Sequence, residues 1–93
     1  MKIHVKFGSI FQEIFGGREG EIDLEEGADI ARLLDVLCPT PERRAKIFDP
    51  TGKNIRPYVT ISKNGRFIVH LNWLQTELSD GDRVEFFLLG AGG

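Results

Sequence analysis

The chain has 93 residues, with 12 Lys and Arg against 14 Asp and Glu for a net charge of −2 and a hydrophobic content of 41%. That size gives a single domain able to bury a core, but not one that also wraps a deep catalytic pocket. Charges of both signs are interspersed, so no basic surface points to nucleic acid, and no apolar run approaches the ~18 residues of a membrane span.

The first residues, MKIHVKFGSIF, contain no continuous apolar core of the kind a secretory signal needs. Instead KIHVKF (2–7) alternates strictly, with Ile3, Val5 and Phe7 on one face and Lys2, His4 and Lys6 on the other. This is the pattern of a half-buried strand. Gly8-Ser9 breaks it, IFQEIF (10–15) is expected to make a short helical turn, and Gly16-Gly17 ends that turn. GEIDLEEG (20–27) reads as a second strand, which predicts a hairpin-like unit at the N-terminus.

In ADIARLLDVLC, Ile30, Leu33, Leu34 and Leu37 recur at helical spacing and form one apolar stripe. Asp29 stands where an N-cap should, and Pro39 ends the helix because it lacks the amide the next turn would use. TPERRAKIF predicts a second short helix, with Thr40 as cap and Pro41 in the first helical position. In PYVTISKNGRFIVHL (57–71), Asn64-Gly65 between two β-rich segments is the preferred pair for a type I′ hairpin turn. NWLQTELSDGD (72–82) is irregular with a polar Asp80-Gly81-Asp82 turn, and RVEFFLL (83–89) is the last strand. Strands at the two ends of the chain can pair in parallel at the sheet centre. The expected fold is therefore α+β: a β-grasp, or ubiquitin-like, mixed sheet of about five strands with one main helix across one face. Residues 1–89 form the domain and residues 90–93 a flexible C-terminal tail.

Catalytic constellations are not apparent. His4, His70 and Cys38 are spread over the chain, both histidines in predicted strands, so no metal site is expected. The lone Cys38 excludes an internal disulfide, fits a reducing, cytoplasmic setting, and reads as a structural thiol with no base beside it. Gly16-Gly17 lacks the residues of a phosphate loop. The chain reads as a substrate or partner of enzymes, not as a catalyst.

That directs attention to the ending, Gly90-Ala91-Gly92-Gly93, directly after a predicted central strand. Residues this slender suit insertion into a narrow channel of another protein, since glycine accepts whatever dihedrals the channel imposes. The group so delivered is the carboxylate of Gly93.

Arg56-Pro57-Tyr58-Val59, Asn64-Gly65, Thr76, Leu78, Asp80-Gly81-Asp82, Val84 and Gly92-Gly93 occur in the order and spacing of a known pattern. They resemble the small sulfur carriers of the MoaD/ThiS family, in which an RPYV…NG hairpin precedes a T-x-L-x-DGD-x-V turn and strand. MKIHVKFGSIFQEIFGG and LEEGADIARLL resemble that family's first strand and helix start. Asp29 replaces the usual Thr, Trp73 stands where Gly is common, and LLGAGG differs from the PPVSGG ending of dedicated molybdopterin synthase subunits. The resemblance implies that an ATP-dependent, ubiquitin-activating-like enzyme adenylates Gly93, with no cofactor bound by the carrier itself. A sulfur donor then converts Gly93 to a thiocarboxylate, and a synthase takes the sulfur. The expected recipient is the large subunit of molybdopterin synthase, with thiazole or cysteine synthesis, or conjugation to lysines as a protein modifier, as the other readings. For docking, Val84, Phe86 and Leu88 are expected in the core, leaving Phe87 and Leu89 on the open sheet face beside the tail as partner anchors.

Overall fold

A computed structural model describes residues 1–88 of the chain. Strand β1 (Lys2–Phe7) buries alternate residues as its sequence requires. A one-turn helix, α1 (Phe11–Phe15), follows and ends at Gly16 in the left-handed region (φ 79°), where a side chain would be strained. Strand β2 (Glu19–Asp23) is shorter than the expected 20–27 segment. The chain leaves the sheet at Leu24, which turns into the core. Helix α2 (Ile30–Leu37) buries its whole apolar stripe, and Asp29 Oδ1 caps it by accepting from the Arg32 amide at 2.9 Å. Helix α3 (Pro41–Ile47) is capped by Thr40 Oγ1, which accepts from the Arg43 amide at 3.2 Å.

Strands β3 (Val59–Lys63) and β4 (Arg66–Phe67) form the predicted hairpin. Asn64 (φ 51°) and Gly65 (φ 83°) both take positive φ, as a type I′ turn demands. The hairpin's second arm is not the strand to residue 71 that its β-rich composition suggested. After two residues it passes into a 3₁₀ turn at Ile68–His70, and a second lies at Trp73–Gln75. Burial decides this: Ile68 and Leu74 are both drawn inside, and the chain must leave the sheet edge to place them there. His70 consequently stands exposed in a turn, not in a strand.

Strand β5 (Arg83–Leu88) completes a five-stranded sheet of order β2-β1-β5-β3-β4. β5 lies parallel to β1 (Val5 opposite Val84, Phe7 opposite Phe86), and the other neighbours are antiparallel. The sheet thus has the expected β-grasp arrangement, with the two chain-terminal strands at its centre and α2 across one face. The core joins Ile3 and Val5 of β1, the α2 stripe, Val59 and Ile61 of β3, and Val84 and Phe86 of β5. Leu88 is partly buried and packs against this core, as its place in the alternation predicts. Among the described residues no helix is long and apolar enough to cross a membrane.

Candidate functional site

The place where β5 ends is defined from both sides. On the β1 side the Gly8 amide donates to the Phe86 carbonyl at 3.0 Å. A Cβ on Gly8 would stand 3.3 Å from that same carbonyl oxygen, so glycine permits the close approach. On the β3 side, pairing continues through Thr60–Phe87 to Val59–Leu88. Beneath the strand, Phe86 is fully buried among Phe7, Phe11 and Phe15, at centroid distances of 5.4, 6.1 and 5.5 Å. β5 is therefore anchored almost to its last residue. Leu89, Gly90, Ala91, Gly92 and Gly93 lie outside the described residues.

Phe87 points to the opposite, open face. Strand pairing puts Thr60 and Phe87 side by side there, with Ser62 facing both Glu85 and Phe67. The Phe67 and Phe87 rings meet edge to face at 6.2 Å, and Phe67 stays 38% exposed. Helix α1 packs on the other side of the sheet, against Phe86, so Phe87 has its aromatic neighbour on the hairpin instead. Ser62 is buried on this face, and its Oγ has no hydrogen-bond partner within the described residues. Phe67 was not singled out from the sequence. Counting outward from the Asn64-Gly65 turn pairs it with Ser62, and that hairpin register was the available signal; the pairing of β3 with β5 then puts Ser62 on the face of Phe87.

The residues that carried the family resemblance hold this arrangement in place. The Arg56 amide and Nε donate to the carbonyls of Ile47 (2.8 Å) and Ala45 (2.8 Å), and Tyr58 Oη donates to that of Lys46 (2.6 Å). These three bonds satisfy carbonyls that the end of α3 leaves without helical partners. The Asn64 side chain donates to Asp82 Oδ1 and accepts from the Arg83 amide, both at 2.9 Å. Asp82 Oδ2 accepts from the Ser79 amide at 2.8 Å and lies 3.7 Å from Lys63 Nζ. Asp80 Oδ1 accepts from the Lys2 amide at 2.7 Å, and the Gly81 amide donates to the Lys2 carbonyl at 2.8 Å. The NG and DGD motifs thus fix the register of β5 against β1 and β3, and so fix where its end points.

Of the scattered groups, His4 Nδ1 is 3.3 Å from Glu21 on the open face. Cys38 is buried, and burial pushes its thiol up to about 11, so it is protonated at neutral pH and is no nucleophile. Among the described residues, no group of three or more His, Cys, Asp or Glu side chains is placed to hold a metal ion.

Residues 5–93 match the ThiS family. The chain belongs to that family. This ThiS-family chain is 31% identical to small archaeal modifier protein 3 of Haloferax volcanii over the full length of both. It also superposes on a putative molybdopterin converting factor subunit 1 from Pyrococcus furiosus (TM-score 0.71, 29% identity, 95% of this chain and 97% of that one). With Urm1 from Trypanosoma brucei the TM-score is 0.80 at 25% identity, covering 99% and 95% of the two chains. The ThiS-family chain is thus a ubiquitin-like protein of the sulfur-carrier and modifier kind.

Proposed function

We propose that the chain carries sulfur as a thiocarboxylate on Gly93. A carboxylate oxygen of Gly93 attacks the α-phosphorus of ATP in an activating enzyme, pyrophosphate leaves, and an acyl-adenylate forms. A persulfide of a donor protein then attacks the carbonyl carbon with its terminal sulfur and AMP departs. A thiol reductant cleaves the S–S bond of the resulting acyl disulfide, which frees the donor and leaves sulfur in place of one carboxylate oxygen. Gly90, Ala91 and Gly92 are the slender segment that partner channels accept. Phe87, with Phe67 beside it and Leu89 after it, is the apolar anchor that docks the carrier. The observation that carries this reading is the ThiS-family match running to residue 93, together with a central strand held in register up to Leu88. The proposed recipient is the large subunit of a molybdopterin synthase, in molybdenum or tungsten cofactor synthesis, and the Pyrococcus neighbour supports that choice.

The decisive experiment is intact mass spectrometry after incubation with ATP, an activating enzyme and a sulfur donor. A mass gain equal to one sulfur-for-oxygen exchange, mapped to Gly93 and lost when Gly92 and Gly93 are deleted, is the expected result. No change at Gly93 in the presence of a competent activating enzyme would refute the proposal. The full-length similarity to a modifier protein favours a second use of the same activated carbonyl, transfer to protein lysines. A Gly-Gly remnant on cellular lysines, dependent on Gly93, is its signature.

A further inference from the structure

The sheet has a second exposed feature, on the edge opposite the one that β4 forms. β2 is an edge strand with β1 on its inner side. The Phe7 amide donates to the Arg18 carbonyl (2.8 Å) and the Leu24 amide to the Met1 carbonyl (2.9 Å), whereas the His4 amide goes the other way, to Asp82 (2.9 Å). Antiparallel pairing alternates, so Gly20 and Ile22 bond inward and the peptide groups of Glu19, Glu21 and Asp23 point away from the sheet. Between this edge and the C-terminal end of α2 runs a groove of about 310 Å³, lined by Phe15, Gly20, Ile22, Val36, Leu37 and Arg43. Val36 is 38% exposed at its wall.

Gly20 is what keeps the groove open. It is not among the glycines with positive φ, so its backbone conformation does not require glycine. A Cβ there would meet only Val5 Cγ2, at an ordinary 3.7 Å. A glycine that neither strain nor crowding demands, in the middle of a strand, leaves room for something else to approach. On the opposite face, Glu19, Glu21 and Asp23 form an acidic row opposite Lys6, His4 and Lys2. Of the three acids only Glu21 has a basic side chain within 4 Å among the described residues, His4 Nδ1 at 3.3 Å. A second copy pairing edge to edge would set these rows against each other, which like charges oppose.

We propose that the β2 edge receives an extended segment of a partner protein in which apolar residues alternate with Lys or Arg. Its backbone bonds to the outward peptide groups of Glu19, Glu21 and Asp23 as an added strand. Its apolar residues enter the groove between Gly20 and Val36, and its cations face the acidic row. β1 itself (Lys2-Ile3-His4-Val5-Lys6) has this chemistry, and it is what β2 already binds on its inner side.

The test uses the full chain and a short alternating lysine–valine peptide, followed by heteronuclear NMR and amide hydrogen exchange. The expected result is shift changes at Gly20–Asp23 and Val36, with exchange protection gained at Glu19, Glu21 and Asp23. Gly20→Val, which fills the groove, and Val36→Asp, an exposed change that spares the core, should each weaken binding at least about tenfold, and neither should alter activation at Gly93. A glutamate–valine peptide should not bind. Absence of binding, shifts confined to Phe67 and Phe87, equal binding of the acidic peptide, unchanged affinity in both variants, or self-association through β2 would each overturn the proposal.

Discussion

Phe86 and Phe87 are adjacent in sequence and identical in chemistry, and strand alternation sends them to opposite fates. Phe86 is fully buried under three aromatic rings. Truncating such a residue to alanine costs about 3–5 kcal/mol, from lost burial and the cavity left behind. Against a domain stability of about 5–15 kcal/mol, that is a large fraction. Phe87 is half-buried and makes an edge contact with Phe67, an arrangement worth about 0.5–1.5 kcal/mol beyond area. In urea, with a slope of about 1–2 kcal/mol per molar, Phe86→Ala should lower the unfolding midpoint by roughly 1.5–5 M and Phe87→Asp by roughly 0.3–1.5 M. The functional order is reversed. Phe87→Asp should weaken association with the activating enzyme at least about tenfold, about 1.4 kcal/mol, while the folded protein keeps its spectrum. Equal loss of stability in the two variants would show that the assignment of sheet faces is wrong. A stable Phe87→Asp variant that binds as well as the parent would remove Phe87 from the docking surface.

Asp82→Ala removes the acceptor for both the Asn64 side chain and the Ser79 amide, and should cost about 1–3 kcal/mol in urea unfolding. A loss under about 0.5 kcal/mol would mean the Asp82 contacts do not hold β5. Gly65→Ala forces a side chain onto a residue at φ 83°, and should destabilise by about 1 kcal/mol, a fall of about 4–8 °C in a thermal melt. Cys38 should resist a thiol reagent at neutral pH in the native protein and react readily once unfolded. The folded chain keeps the thiol proton up to about 11, while the unfolded chain releases it near 9. The unfolded state is therefore favoured as pH rises through that window. The stability of the native protein should fall from pH 9 towards 11, and Cys38→Ala should flatten the decline.

Most of the fold was legible in the chain because its signals are local. Alternation in Ile3-Val5-Phe7, the Ile30-Leu33-Leu34-Leu37 stripe, the caps Asp29 and Thr40, and the Asn64-Gly65 turn each depend on a few neighbouring residues, and each forms as read. Alternation in β5 likewise placed Val84 and Phe86 inside and Phe87 outside. The sequence could not locate the point where β4 stops. A strand and a 3₁₀ turn are both open to RFIVH, and the choice fell to the core, which needed Ile68 and Leu74. Nor could it show that Phe67 meets Phe87, since that contact depends on two strand pairings at once.

By itself, then, the amino-acid sequence determined the periodicities, the caps and the tight turn, all set by short-range sterics and hydrogen bonding. Tertiary structure decided which side chains share a face, why the NG and DGD residues are there, and where a groove stays open beside Gly20. Those depend on residues distant in the chain arriving together, and no local pattern records the distances between them.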